Sequence, residues 1–139
     1  MTGITIVDTG PIVAYLCHDD ANHQWAVAAF GAAASPMLTC EAVITEACFL
    51  IRRSFKSADG VMNLLERGGI KLHFTLADEL ERVRNLIKRY ADTPMSLADA
   101  CLVRMTEIHP QARVMTLDSG FSVYRMHGRQ AIPLIAPHA

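Results

Sequence analysis

Four carboxylates stand where local pattern would not ordinarily place a charge. Asp8 closes the apolar run "ITIVD" at residues 4–8, and Asp118 closes "ARVMTLD" at 112–118. Glu46 has Ala42, Val43, Phe49 and Leu50 as helical neighbours three and four residues away, which predicts a place on a buried helix face. Asp99, in "LADACLVRM", is followed one turn later by Leu102 and Val103, so it rides an inward stripe. Each acid also has a purely structural reading. Asp8 before "TGP" can cap a helix opened by Pro11, Ser96 and Asp99 fit a capping box, Asp118 can close an Asx turn before Gly120, and Glu46 can be a hydrogen-bonded core glutamate. Glu41 falls in a first helical turn, where the helix dipole accounts for it, and is assigned no chemistry.

Crowding such groups is unfavourable, because two unit charges ~4 Å apart repel by about 4 kcal/mol at an effective dielectric near 20. If the four acids converge, a cation should offset that cost. Oxygen-only donors select hard divalent ions, Mg²⁺ or Mn²⁺ rather than zinc, and such ions activate water and stabilise phosphoryl oxygens.

Convergence requires particular elements. The runs at 4–8 and 112–118 are β-branched or apolar without alternation, as in strands covered on both faces of a parallel sheet. "IKLHFT" (70–75), "AIPLI" (131–135) and "PMLT" (36–39) are further strand candidates, with Pro133 marking 131–135 as an edge. Apolar positions of 3.6 period predict helices over 11–17, 22–33, 40–54, 57–67, 77–91 and 97–108. Strands alternating with helices imply an α/β sandwich with a mainly parallel central sheet. In such sheets ligands sit beyond the carboxyl ends of the strands, where Asp8 and Asp118 fall.

Composition bounds the rest. A chain of 139 residues is expected to form one domain, 1–139, and 51% hydrophobic against 6% aromatic residues predicts an aliphatic core. A net charge of −1 lacks the footprint of a dedicated nucleic-acid binder, so a polyanion would have to be gripped locally. Arg52, Arg53 and Lys56, and Arg82, Arg84, Lys88 and Arg89, read as solvated faces, with RNA phosphates as their alternative occupant. Cys17, Cys40, Cys48 and Cys101 lack C-x-x-C spacing and lie among apolar residues, which speaks against zinc and against a disulfide framework. The six histidines form no pair on one helical turn and read as surface or loop residues, Asp19 and Asp20 as a solvated turn, and Trp25 as a packing anchor. The N-terminus has no basic region and its apolar run is broken by Asp8, so neither a signal peptide nor a membrane span is expected, and a cytoplasmic location is.

Taken in order, "VDTGPIVAYL", "TCEAVITEACFLIRR", "YADTPMSLADACLV" and "VMTLDSGFSVYRMHGRQAIPLI" resemble a PIN domain along the whole chain. The resemblance is narrower to the ribonuclease toxins of bacterial VapBC toxin–antitoxin pairs. It implies a PIN-like fold, a three-layer α/β/α sandwich, with an acidic Mg²⁺ or Mn²⁺ site, hydrolysis of RNA phosphodiester bonds, and inhibition by a small cognate antitoxin; a homodimer is also expected. The family's acidic positions fall on Asp8, Glu46, Asp99 and Asp118. Asp8, Asp99 and Asp118 are the metal-ligand candidates, Glu46 could bind the ion through water or orient the nucleophile, and Thr9 and Thr116 are candidates to support them by hydrogen bonds. Two positions depart from the pattern: Ser96 and Gly120 stand where similar sequences often carry aspartate, which predicts at most one firmly bound cation.

Two rivals remain from the sequence. A non-catalytic module could use the acidic pocket to accept a partner's cationic side chain. Phosphotransfer on a similar sheet is disfavoured, because a phosphatase of that kind wants an aspartate two residues after the first and position 10 is glycine.

Overall fold

A computed structural model describes residues 3–138. β1 (Thr5–Val7) runs into α1 (Thr9–Leu16) and α2 (His23–Ala32), then β2 (Met37–Thr39), α3 (Glu41–Arg53), α4 (Asp59–Glu66) and β3 (Ile70–Leu72). A 3-10 turn (Leu76–Glu79) precedes α5 (Leu80–Arg89), followed by α6 (Leu97–Ile108), β4 (Arg113–Met115) and a second 3-10 turn (Ser119–Ser122). Three two-residue strands, β5 (Arg125–Met126), β6 (Gln130–Ala131) and β7 (Leu134–Ile135), end the described chain.

The central sheet has the order β3-β2-β1-β4-β7, and every pairing in it is parallel. Ile6, Val7, Val114 and Met115 are wholly buried, as consecutive apolar residues require when both sheet faces are covered, while Arg113 at the start of β4 is exposed. From β1 the chain steps outward to β2 and β3, then returns to β4 on the other side of β1. Because parallel crossovers are right-handed, the two legs put their helices on opposite faces. Accordingly α1 packs on α2, α3 and α4, while α5 packs on α6.

Several expectations need correction. The single strand expected over 131–135 is split at Pro133, whose missing N–H cannot extend a ladder while its carbonyl accepts from Val114 N at 2.9 Å. Its first half pairs antiparallel with β5 in a hairpin, and its second half is the sheet edge. That hairpin turns on His127 and Gly128, both at positive φ (53° and 81°), a conformation announced by the glycine but not by a histidine. The helix expected over 77–91 divides into the 3-10 turn and α5. The core is less purely aliphatic than composition suggested, since its largest fully buried side chains are Tyr124 and Phe121. His23 is no loop residue: it opens α2, half-buried, with Nδ1 2.8 Å from the Ala14 carbonyl. All four cysteines are free.

Candidate active site

The strand order reverses between β1 and β4, so the crevice outside their carboxyl ends is the topological switch point where α/β sheets bind ligands. Asp8 follows β1 directly and is anchored by its own N–H, which donates to the Met115 carbonyl at 2.9 Å. Its two carboxylate oxygens divide the two roles the sequence left open. Oδ1 caps α1 by accepting from Thr9 N at 2.7 Å, and Oδ2 accepts from the Thr116 hydroxyl at 2.7 Å.

Thr116 is the pivot of the β4 side. The same oxygen that donates to Asp8 accepts from Asp118 N at 2.9 Å, fixing the backbone of one acid through the side chain that holds another. Asp118 itself is exposed, and its Oδ1 accepts from Gly120 N at 2.8 Å. A Cβ at position 120 would lie 3.1 Å from that oxygen, so the glycine that departs from the family pattern keeps Asp118 uncrowded.

Asp99 enters from the other leg, at the start of α6. The capping box is complete: Ser96 Oγ accepts from Asp99 N at 3.0 Å, and Asp99 Oδ2 accepts from Ser96 N at 3.1 Å. Ser96 is thus accounted for as the N-cap. Capping does not explain the burial of Asp99, nor the second donor to Oδ2, the hydroxyl of fully buried Tyr124 at 3.1 Å. Tyr124 was missed by sequence reasoning; its only signal there is that a tyrosine buried in "GFSVYRM" must find a partner for its hydroxyl. Tyr90 and Phe121 each meet its ring edge-on at 5.2 Å.

Electrostatics tie the three aspartates together. Burial pushes the Asp8 carboxyl up to about 6, hydrogen bonds from Thr116 and Thr9 pull the other way, and the charges of Asp99 and Asp118 raise it further. Burial also raises Asp99, opposed by its bonds to Ser96 and Tyr124 and reinforced by Asp118. The Tyr124 hydroxyl is held well above the usual range, first by burial and then by Asp99, with Asp118 and Asp8 adding. Glu46 stands one residue removed. It is half-buried, and its Oε1 accepts from the Thr9 hydroxyl at 3.0 Å, so Thr9 links Glu46 to Asp8 without the acids touching. The expectation that it lies on a fully buried face is corrected: Val43 and Ala47 are buried, but Phe49 and Leu50 face solvent.

The structure therefore brings Asp8, Asp99 and Asp118 near enough at the switch-point crevice for Asp99 and Asp118 to raise the Asp8 carboxyl and for Asp118 to raise that of Asp99, with Glu46 joined to Asp8 through Thr9. The donor set is all oxygen, carries repelling charges and suits a hard divalent cation. Among the described residues, no three His, Cys, Asp or Glu side chains stand close enough together to grip an ion as placed.

Outside the crevice, Asp19 pairs with Lys56 at 3.1 Å and Asp20 accepts from Asn22 N at 2.8 Å, as a solvated turn requires. Among the described residues, no helix is long and apolar enough to cross a membrane.

A search of curated protein sequences finds no match. Among solved structures, the fold is similar to that of Mycobacterium tuberculosis VapC20, described as a sarcin–ricin loop cleaving toxin. The TM-score is 0.75 at 19% identity, covering 93% of this chain and 99% of that one. The PIN domain profile matches residues 5–125, a span that begins at β1 and includes every acid of the crevice and Tyr124. With that much of the sequence matched and its carboxylates gathered at the sheet's switch point, the chain belongs to the PIN domain family.

Proposed function

We propose that this protein is a metal-dependent endoribonuclease, the toxin of a toxin–antitoxin pair. The observation that carries the reading is the meeting of Asp8, Asp99 and Asp118 at the switch point, two of them buried and all three raising the Tyr124 hydroxyl by their charge. Asp8, Asp99 and Asp118 would hold Mg²⁺ or Mn²⁺, which when bound supplies a water of lowered pKa and charge stabilisation at phosphoryl oxygens. The chain's own work is orientation. Thr9 and Thr116 fix both oxygens of Asp8, Ser96 and Tyr124 fix Oδ2 of Asp99, and the Thr9 hydroxyl holds Glu46, which would bind the ion through water or orient the nucleophile.

RNA is the substrate, and the protein acts in the cytoplasm under restraint by a small antitoxin. Apolar side chains of that partner seat near Trp25 and Phe49. An apolar cavity of about 390 Å³ lies on another face of α2, lined by Tyr15, Val27, Phe30 and Leu64 and by neither Trp25 nor Phe49, and offers such a segment a second seat. The partner directs an Arg or Lys toward the carboxylates, with salt weakening that component. Two copies associate through the apolar face of α5.

The test is incubation of purified protein with mixed RNAs in Mg²⁺, in Mn²⁺ and in chelator. Cleavage that needs the metal and disappears in Asp8→Asn and Asp99→Asn is expected; equal cleavage by those variants identifies a contaminant. A second reading, an acidic pocket that accepts a partner's cation and cuts nothing, is favoured by the spacing of the acids, of which no described three close on an ion. No cleavage under any condition, with binding of the neighbouring gene's product retained, supports that reading. For the antitoxin, co-purification of the product of a short adjacent reading frame is expected.

A further inference from the structure

We infer that the concave surface between α5, the C-terminal end of α6 and the β5–β6 turn is a phosphate-binding site, separate from the carboxylate crevice. It is a cavity of about 190 Å³ lined by Arg82, Asn85, Arg89, Glu107, His127 and Gly128. Arg82 and Arg89 lie seven residues apart on α5, two turns along one face, so both guanidinium groups reach the same hollow. Among the described residues, neither has a carboxylate within ion-pair distance.

Glu107 lines the cavity but is already committed at both oxygens. Its Oε1 accepts from Arg104 at 3.2 Å, and its Oε2 accepts from the backbone N–H of His127 at 2.8 Å. Arg104 also pairs with Glu79, so Glu107 keeps part of its charge, and the hollow sets two arginines and a histidine against that one carboxylate in a chain whose net charge is −1. The turn is shaped to the same end. Gly128 has φ +81°, and a Cβ there would lie 2.8 Å from Arg89 Nη1, so the absent side chain gives the guanidinium its place over the turn. Arg125 shows the contrast: its Nη1 is turned back onto the carbonyls of Ser122, Val123 and Tyr124. A tetrahedral oxyanion is the chemistry that forked guanidinium donors and an imidazole recognise together.

The site is linked to the crevice through packing. Arg89 precedes Tyr90, whose ring meets Tyr124, the donor to Asp99. This assignment rests on the ribonuclease reading for its source of phosphate, the RNA backbone flanking the cleaved bond; a free phosphorylated ligand is the other source of the same chemistry.

The experiment uses Arg82→Gln/Arg89→Gln, with Arg82→Lys/Arg89→Lys as a charge-retaining control and thermal melting to verify folding. In an Asp8→Asn background that prevents cleavage, single-stranded RNA binding is measured across salt. The Gln pair is expected to raise Kd about tenfold or more and to flatten the slope of log K against log salt by about 0.7 to 1.4, one or two phosphates. The Lys pair should recover most of that slope. In parallel, inorganic phosphate is titrated against the His127 ring and Gly128 amide resonances, with shifts expected in the parent and absent in the Gln pair. Loss of RNA affinity assigns the site to the RNA backbone, whether or not free phosphate binds. Phosphate shifts without any RNA effect assign it to a free phosphorylated ligand. If a folded Gln pair changes neither, the inference is overturned. Neither readout needs turnover, so absence of nuclease activity would count against the ribonuclease reading and leave this test intact.

Discussion

The Tyr124 hydroxyl donates to Asp99 Oδ2 at 3.1 Å, joining a fully buried ring to the carboxylate that opens α6. Asp99 is thus held from two directions, by the capping box within its own helix and by a side chain 25 residues further on. Tyr124→Phe keeps the aromatic packing and deletes only that bond. A loss of about 1 to 3 kcal/mol is expected by urea unfolding at pH 7, since the acceptor is charged. The pH at which activity reaches half its maximum should also move upward, because the bond favours the ionised form of Asp99. Unchanged stability together with an unchanged pH profile would show that the contact does nothing for Asp99.

Asp8 makes stability depend on pH with a definite sign. Its carboxyl sits at about 6 in the fold against 3.8 unperturbed, so between those values the native state binds more protons than the unfolded one. The contribution is fully present below about pH 4 and is lost as pH rises through about 6, amounting to about 3 kcal/mol at most. In chelator, the stability of Asp8→Asn relative to wild type should therefore increase from pH 4 to pH 7. A difference that stays constant over that range would mean that Asp8 titrates normally.

Asp99 separates cap from charge cluster when two substitutions are compared. Both Ser96 N and the Tyr124 hydroxyl donate to Oδ2, so an amide oxygen in that place can accept from both. Asp99→Asn should leave the metal-free melting temperature at pH 7 equal to wild type or above it, through relief of repulsion. Asp99→Ala removes the acceptor for Ser96 N, one half of the capping box, and orphans the buried Tyr124 hydroxyl, and should cost about 1 to 3 kcal/mol. If the asparagine variant falls as far as the alanine one, repulsion among the acids is not a significant term.

Much of this was legible in sequence for a physical reason. Asp8 and Asp118 each end a run of β-branched or apolar residues without alternation, and in a parallel sheet the ends of such runs share one edge, so their proximity follows from strand direction. The capping box was readable because its residues are three apart. Contacts across the chain were legible only in part. Thr9 and Thr116 were candidates to support the acids, and they bond Glu46 and Asp8, the latter at a separation of 108 residues; Tyr124 reaches Asp99 from the link between a 3-10 turn and β5, which leaves no periodic pattern. Glu46 was placed too deep because Phe49 and Leu50, although apolar, stand at the solvent edge of α3. Apolar type alone does not report which way a helix face turns.

Thr116→Val tests the pivot directly. The isosteric change leaves the shape of a wholly buried site intact while taking away the donor to Asp8 Oδ2 and the acceptor of Asp118 N. About 2 to 4 kcal/mol of stability should be lost, and any cleavage should demand more metal, because two acids lose their orientation together. Thr116→Ser retains the hydroxyl and should restore the metal requirement. Equal metal dependence in the valine and serine variants would remove Thr116 from the site.

The last expectation concerns self-association. Leu80 and Ile87 lie two turns apart on α5 and are 59% and 40% exposed; with Leu97, 46% exposed, they border a cavity of about 490 Å³ lined by Leu76 and Val83 as well. The same helix carries Glu81 in its first turn and Lys88 in its last. Two copies packed antiparallel about a two-fold axis would bury both leucine–isoleucine stripes and set each Glu81 against the other copy's Lys88. Such an interface is isologous, so every substitution counts twice. Burial of one leucine is worth about 1.5 to 3 kcal/mol, hence Leu80→Glu should weaken a dimer by a hundredfold or more. Its fold should be unaffected, because the side chain already faces solvent in the single chain. Arg82 and Arg89 project from the opposite flank of α5 and should tolerate dimerisation. Sedimentation equilibrium of wild type, Leu80→Glu and Ile87→Glu measures this. A wild-type dimer that survives both substitutions would place the contact elsewhere, and a strictly monomeric wild type would remove it.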